Sequence, residues 1–151
     1  MSEGVTFREA RRDELTVCAT YWYRMFDDMG SPIIERLPSE WRDRWLRTYR
    51  PLFDSERLRY DVACIGDRIV GTSGAAIHHD EILDAVSGRV FGVYVEPEYR
   101  NRGIATRLAE RSLAWLRKRR CAPITLRASD AGAAVYERLG FKAVREMQLD
   151  S

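Results

Sequence analysis

The segment "YVEPEYRNRGIATRLAERSLAWL", from Tyr94 to Leu116, constrains the fold more strongly than any other stretch of the chain. It begins as an apolar strand pattern that ends at Pro97, turns within a few residues and continues as an amphipathic helix. On a helical projection, an arc of about 140° holds Ile104, Ala105, Leu108, Ala109, Ser112, Trp115 and Leu116. The segment therefore predicts a strand, a short turn and a helix with one apolar face.

The rest of the sequence extends this unit to a mixed α/β fold class. Strand patterns occur at residues 5–10, 59–66, 68–78, 87–97, 123–128 and 141–149, and helix patterns at residues 14–26, 40–53, 103–119 and 130–139. Gly66 and Asp67 predict a hairpin turn between two of the strands. Candidate helix caps are Asp13, Ser39 and either Ser129 or Asp130. The predicted order along the chain is βααβββαβαβ.

Length and charge limit the number of domains and the class of partner. A chain of 151 residues suits one domain, spanning residues 1–151. The net charge of +2 gives no reason to expect nucleic acid or a membrane as a partner. Cys18, Cys64 and Cys121 lack metal-binding or redox spacing, which favours reduced thiols. Because no apolar signal core or membrane-spanning stretch is present, we expect a cytoplasmic protein.

The turn after Pro97 places positive charge where a helix disfavours it. A helix N-terminus exposes unpaired N–H groups and carries about half a positive charge, so Arg100 and Arg102 destabilise it unless an anion binds. Gly103 removes a side chain where a ligand would approach the backbone, and Ala105 keeps the next inward position small. This combination predicts a turn that binds a diphosphate. A tight turn with solvated arginines is the alternative, since short glycine patterns also match by chance.

These residues resemble the acetyl-CoA-binding motif of the GNAT superfamily of N-acetyltransferases. The motif reads Arg/Gln-x-x-Gly-x-Gly/Ala and is matched by Arg100, Gly103 and Ala105, after a strand that ends with Val95 and Pro97. A second stretch, "LRASDAGAAVYERLGFKAV", is similar to the C-terminal segment of the family. Two motifs in the right order are more specific than either alone. The resemblance implies a mostly antiparallel central sheet of about six to seven strands, flanked by about four helices.

The resemblance also implies the site residues, with acetyl-CoA as the co-substrate and no metal. The diphosphate would lie on the turn and the pantetheine arm along the preceding strand, so the expected contacts are Val93, Tyr94, Val95, Arg100, Asn101, Arg102, Gly103, Ile104, Ala105 and Thr106. Strand alternation places Val93 and Val95 on one face and Tyr94 on the other. Tyr136 matches the family's frequent general acid, with core packing as the alternative. Ser129 stands where many relatives carry Asn to contact the CoA arm, and it can equally be a helix cap.

The implied activity is transfer of an acetyl group from acetyl-CoA to a primary amine, by direct attack in a ternary complex. The acceptor would be a small molecule or a peptide. A non-catalytic acyl-CoA-binding sensor or regulatory module is the alternative function. The general base stays open among six residues: His78, His79, Asp80, Glu81, Asp27 and Asp28. Homodimers are common in the family, and nothing in the sequence decides whether this chain forms one.

The expected acceptor side is the region "TYWYRMFDDMGSPIIERLPSEW". Asp27, Asp28 and Glu35 would attract a cationic amine there. We predict that replacing Asp27 and Asp28 by Asn changes the acceptor kinetics. His78 and His79 do not predict a metal site, because adjacent strand residues point to opposite faces. The basic run at residues 117–120 is explained by the negative end of a helix dipole rather than by nucleic-acid binding.

Overall fold

Five strands form one sheet in the order β1-β2-β3-β4-β5 in the computed structural model, which describes residues 4–150. The strands are β1 (Thr6–Glu9), β2 (Leu58–Ile65), β3 (Arg68–Asp80), β4 (Ala85–Val95) and β5 (Ile124–Thr125). Pairing is antiparallel from β1 to β4, and β5 pairs with β4 in parallel. The mixed α/β class and the mostly antiparallel sheet are thus confirmed.

Five α-helices accompany the sheet. They are α1 (Leu15–Asp28), α2 (Ile33–Arg36), α3 (Trp41–Asp54), α4 (Ile104–Lys118) and α5 (Ala133–Arg138). Single 3-10 turns at Arg12–Glu14 and Pro97–Tyr99 precede α1 and α4. The predicted helices match α1, α3, α4 and α5, and the short α2 in the connection after α1 is an addition to the predicted order.

The predicted last strand, residues 141–149, is wrong for the part of the chain that the structure describes. This segment has no ladder partner, and the sheet has five strands instead of six to seven. Its apolar side chains are mostly in solvent: Val144, Met147 and Leu149 are 81%, 84% and 88% exposed. An alternating pattern favours a strand locally, but a strand also needs an edge to pair with. The neighbouring β5 is only two residues long.

The two faces of the sheet carry separate cores. On one face, Leu15 of α1 and Trp45 of α3 pack with Tyr60 and Val62 of β2. On the other face, α4 covers the sheet through two clusters, one around Leu108 and one around Leu116. This arrangement fixes α4 against the strands, and so fixes where its N-terminus lies relative to the end of β4.

A polar seam separates the two clusters beneath α4. Ser73 Oγ and Ser112 Oγ are 2.7 Å apart, and both side chains are fully buried. Asp61, also fully buried, accepts hydrogen bonds from the guanidinium groups of Arg59 and Arg111. Because a buried carboxylate is costly without partners, these contacts specify how α4 sits on the sheet.

Two predicted helix caps are wrong. The Asp13 carboxylate lies 3.5 Å from Arg11 Nε, and Glu14 instead accepts the backbone N–H of Arg11 at 2.8 Å. Ser39 Oγ lies 3.1 Å from a carboxylate oxygen of Glu40 and does not cap α3. Gly66 has φ +58° between β2 and β3, so the predicted hairpin turn is confirmed. Within residues 4–150, none of the helices has the length and apolar character needed to cross a bilayer.

Candidate functional site

The turn between β4 and α4, residues 96–103, joins the sheet edge to the helix N-terminus. After the 3-10 turn, Asn101 has φ +64° and Gly103 has φ +78°, both in the left-handed region. Glycine and asparagine are the residues that adopt this region most readily, which is why the sequence can fold locally this way. A Cβ built on Gly103 meets no protein atom within 4 Å. The glycine therefore serves the backbone conformation and faces open space.

The backbone N–H groups from Asn101 to Thr106 have no protein acceptor within the described chain. The first amide that is paired is that of Arg107, which donates to the carbonyl oxygen of Gly103 at 3.1 Å. Six consecutive free donors at the positive end of a 15-residue helix form a concentrated site for an anion.

The two arginines of this turn are held differently. The Arg100 guanidinium donates to the carbonyl oxygen of Val95 at 2.8 Å and to Asp28 of α1 at 2.9 Å, and it lies 5.1 Å from the Tyr94 ring centre. Among the described residues, Arg102 contacts the Glu98 carbonyl oxygen, at 3.5 Å, and the Tyr99 ring, and makes no ion pair. Arg102 thus keeps most of its donors for solvent or a ligand, whereas Arg100 is largely engaged within the protein.

The end of β4 is open on the side away from β3. The parallel pairing with β5 involves only Gly88 and Arg89, so the strand runs on to Val95 without a partner there among residues 4–150. A bulge places Gly92 at φ +62° and shifts the register against β3. Val93 and Val95 pack in the clusters beneath α4, while Tyr94 stacks on Tyr21 of α1 at 5.5 Å. The predicted facing of these side chains is confirmed.

Tyr136 lies on α5, and not in the turn. Its ring packs edge-on against Phe141, with 6.0 Å between ring centres, and burial raises the pKa of its hydroxyl. The side chain lines a cavity of about 600 Å³ formed by α5, β5 and residues 141–146, with Leu113 and Arg117 of α4. None of the predicted turn residues lines that cavity. The structure therefore brings residues 100–106 and the end of β4 together, and places Tyr136 in a neighbouring cleft along α4.

The predicted cap of α5 at Ser129 or Asp130 is wrong as well, because the N-cap is Gly132 and Ser129 stands before the turn that leads to it. Its hydroxyl oxygen accepts the backbone N–H of Gly132 at 3.1 Å, and its carbonyl oxygen accepts the N–H groups of Gly132 and Ala133. Gly140 has φ +101° directly after α5, as its predicted place at the end of this helix requires.

A buried carboxylate absent from the predicted site, Glu96, also lies at the end of β4. It is 7% exposed; its side chain accepts a hydrogen bond from Arg68 at 2.6 Å and lies 3.4 Å from Arg24. The Tyr21 hydroxyl lies 2.7 Å from the same carboxylate, and burial together with this contact raises the Tyr21 pKa. The signal in the sequence was an acidic residue between an apolar strand and Pro97. The partners of Glu96 belong to α1 and β3, and no sequence pattern marks them as its partners.

The acidic residues proposed for the acceptor side have different environments. Asp28 ends α1 and is bound to Arg100 and Tyr94, and the Arg100 contact holds the pKa of this carboxyl below its usual range. Asp27 is exposed and has no ion pair among the described residues. His79 lies 3.1 Å from Asp84 at the far end of β3. Within residues 4–150, no group of three or more His, Cys, Asp or Glu side chains is arranged to hold a metal ion.

The chain is similar to one known protein family and to several solved structures. A model of the acetyltransferase (GNAT) family matches residues 21–141. A GCN5-related N-acetyltransferase from Ralstonia eutropha JMP134 has a similar structure, with a TM-score of 0.86 and 23% identity over 98% of this chain and 99% of that one. A predicted acetyltransferase with acetyl-CoA from Clostridium acetobutylicum has a TM-score of 0.84 and 22% identity, over 97% of this chain and 96% of that one.

A more distant structure is similar too. Glucosamine-6-phosphate N-acetyltransferase from Arabidopsis thaliana has a TM-score of 0.69 and 15% identity, over 99% of this chain and 98% of that one. At such identities the likeness concerns the fold. No curated protein matches the sequence significantly.

Proposed function

This chain belongs to the acetyltransferase (GNAT) family, and we propose on that premise that it transfers an acetyl group from acetyl-CoA to a primary amine. One observation carries the proposal: the six consecutive backbone N–H groups of residues 101–106, before and in the first turn of α4, have no protein acceptor within residues 4–150. Unpaired amides of this kind are suited to the diphosphate of coenzyme A. The compartment we propose is cytoplasmic, because Cys18, Cys64 and Cys121 are all free and buried.

The turn would bind the diphosphate chiefly through its backbone. The amides of Gly103, Ile104 and Ala105 lie in the first turn of α4, where the helix dipole adds to their attraction for an anion. Arg102 has donors to spare, so it is the side chain best suited to contact the phosphates directly. Arg100 would act mainly by keeping the turn attached to the end of β4.

The open edge of β4 would receive the pantetheine arm. Between Val90 and Val95 this edge has no strand beside it, so an extended amide-containing chain can pair with the strand backbone. An N–H group at the end of β4 would polarise the thioester carbonyl. The acetyl group would then lie at the open edge of β4, on the side of the Val93 cluster and of the cleft that Tyr136 lines, where an acceptor amine can approach.

Chemistry would proceed by direct attack without an acyl-enzyme. The amine nitrogen attacks the thioester carbon, the C–S bond breaks as the tetrahedral intermediate collapses, and the departing thiolate takes a proton from the Tyr136 hydroxyl. A tyrosine hydroxyl is protonated at neutral pH without any shift, and the burial that raises the Tyr136 pKa makes the transfer to the thiolate less favourable. The attacking nitrogen loses its own proton to water or to a base. No cysteine of the protein takes part, so single Cys18→Ala, Cys64→Ala and Cys121→Ala variants that fold should keep the wild-type kcat.

The test has two stages. Calorimetry with CoA should first show saturable binding that is lost when free pyrophosphate competes in excess. A free-thiol assay with acetyl-CoA and a panel of polyamines, amino sugars, amino acids and peptides should then give acceptor-dependent thiol release. Binding without release over the whole panel would contradict the catalytic proposal, and absence of binding would contradict the role of the turn.

A further inference from the structure

Asp28 makes two contacts that an acceptor-binding carboxylate would not need. One oxygen, Oδ2, accepts a hydrogen bond from Arg100 Nη2 at 2.9 Å and another from the Tyr94 hydroxyl at 3.1 Å. The Arg100 guanidinium also lies over the Tyr94 ring and donates to the Val95 carbonyl oxygen. Asp28, Tyr94 and Arg100 thus form a closed group at the junction of α1, β4 and the β4–α4 turn.

A second link joins α1 to the other end of the same turn. Tyr21, two helical turns before Asp28, contacts Glu96 through its hydroxyl and stacks on Tyr94. Arg24 lies between them in the chain and reaches Glu96 at 3.4 Å. Glu96 at the start of the turn and Arg100 in its middle are therefore both attached to one face of α1.

We infer that Asp28 is a positioning residue for the cofactor, which holds the β4–α4 turn in its binding geometry by fixing Arg100 against the end of β4. The inference rests on the proposed function and deepens it. A turn with two left-handed residues and six unpaired amides has little internal support. External attachment reduces the conformational freedom that would otherwise be lost when the diphosphate binds.

The attachment lies next to the expected acceptor side. Asp28 is the last residue of α1, and the chain then passes through residues 29–32 into α2.

The natural control for Asp28 is its neighbour, Asp27. Asp27 is the preceding residue of α1, and the structure gives it no ion pair within residues 4–150. Asp27→Asn and Asp28→Asn each remove one negative charge near a polyanionic ligand, which by itself favours binding. Only Asp28→Asn also releases Arg100. The difference between the two variants isolates the contact from the change in net charge.

The experiment is calorimetric titration of each folded variant with CoA, in which no acceptor is needed. We expect the Kd of Asp28→Asn to exceed that of Asp27→Asn by roughly threefold to fivefold, the size expected when a half-exposed ion pair is lost. Tyr94→Phe, which keeps all charges, should weaken CoA binding by roughly twofold. If Asp28→Asn does not fold, this second variant carries the test.

A double-mutant cycle separates positioning from a general loss of structure. In an Arg100→Gln background the difference between Asp28→Asn and Asp27→Asn should shrink, since the ion pair is already absent and only the Tyr94 hydrogen bond to Asp28 remains. Equal Kd values for the two Asn variants in the wild-type background, or an undiminished difference in the Arg100→Gln background, would overturn the inference. The proposed function depends on CoA binding by the wild-type protein, which either of these outcomes would leave intact. A failure of the inference about Asp28 can therefore be told apart from a failure of the proposed function.

Discussion

Replacement of Gly103 is the perturbation that most directly tests the diphosphate site. Gly103 has φ +78°, and a Cβ built there meets no protein atom within 4 Å. An added Cβ atom therefore clashes with no protein atom, and it is the left-handed backbone conformation that opposes a substitution. A loss of CoA affinity that is larger than this strain explains must come from an unfavourable interaction between the new side chain and the bound ligand.

The two effects have separable magnitudes. Holding a non-glycine residue in the left-handed region costs about 1–2 kcal/mol, which for a chain of this size lowers Tm by about 2–8 °C. Gly103→Glu also places a carboxylate beside the diphosphate. Two like charges about 4 Å apart repel by about 4 kcal/mol at an effective dielectric constant near 20, which is more than a hundredfold in Kd. Gly103→Gln has the same strain and the same size without the charge.

Calorimetry with CoA and thermal unfolding of the same samples give both quantities. We expect Gly103→Glu and Gly103→Gln to unfold at similar temperatures, and Gly103→Glu to bind CoA at least a hundredfold more weakly than wild type. Gly103→Asn, which tolerates the left-handed region, should retain most of the stability. A folded Gly103→Glu variant with wild-type affinity for CoA would refute the placement of the diphosphate on this turn.

Three other variants test the remaining physical claims. Tyr136→Phe should lower kcat at least about tenfold with little change in the KM for acetyl-CoA, and an unchanged kcat in the thiol assay would exclude the acid role. Arg8 holds the pKa of Glu14 at about 2 instead of 4.5, so the stability from this pair is complete above pH 4.5 and lost as the pH falls toward 2. Urea unfolding of Glu14→Gln should therefore lose part of the wild-type pH dependence in that range, and an identical profile would contradict the pairing. Asp61→Asn should cost about 2 kcal/mol or more in urea unfolding at pH 7, because it leaves Arg111 without its buried partner; a loss below about 0.5 kcal/mol would show that the buried ion pair contributes little.

The sequence by itself determined the local parts of this protein. The strand, turn and helix around Gly103 depend on residues a few positions apart, namely an apolar strand, a left-handed glycine and an amphipathic helix, and all three are in the structure. Local propensity also placed the hairpin at Gly66 and the end of α5 at Gly140. The free amides of the turn follow from the same geometry, because every helix start leaves such groups unpaired.

Only the tertiary structure decided which side chains meet. Asp28 and Arg100 are 72 positions apart, and Tyr21 and Glu96 are 75 apart, so their pairing depends on how α1 packs on β4. The failure of residues 141–149 to form a strand has the same origin. Their alternation was a correct local signal, but a ladder needs a free edge in register, and β5 offers only two paired residues. Periodicity is a property of a segment, whereas pairing is a property of two segments brought together by the core.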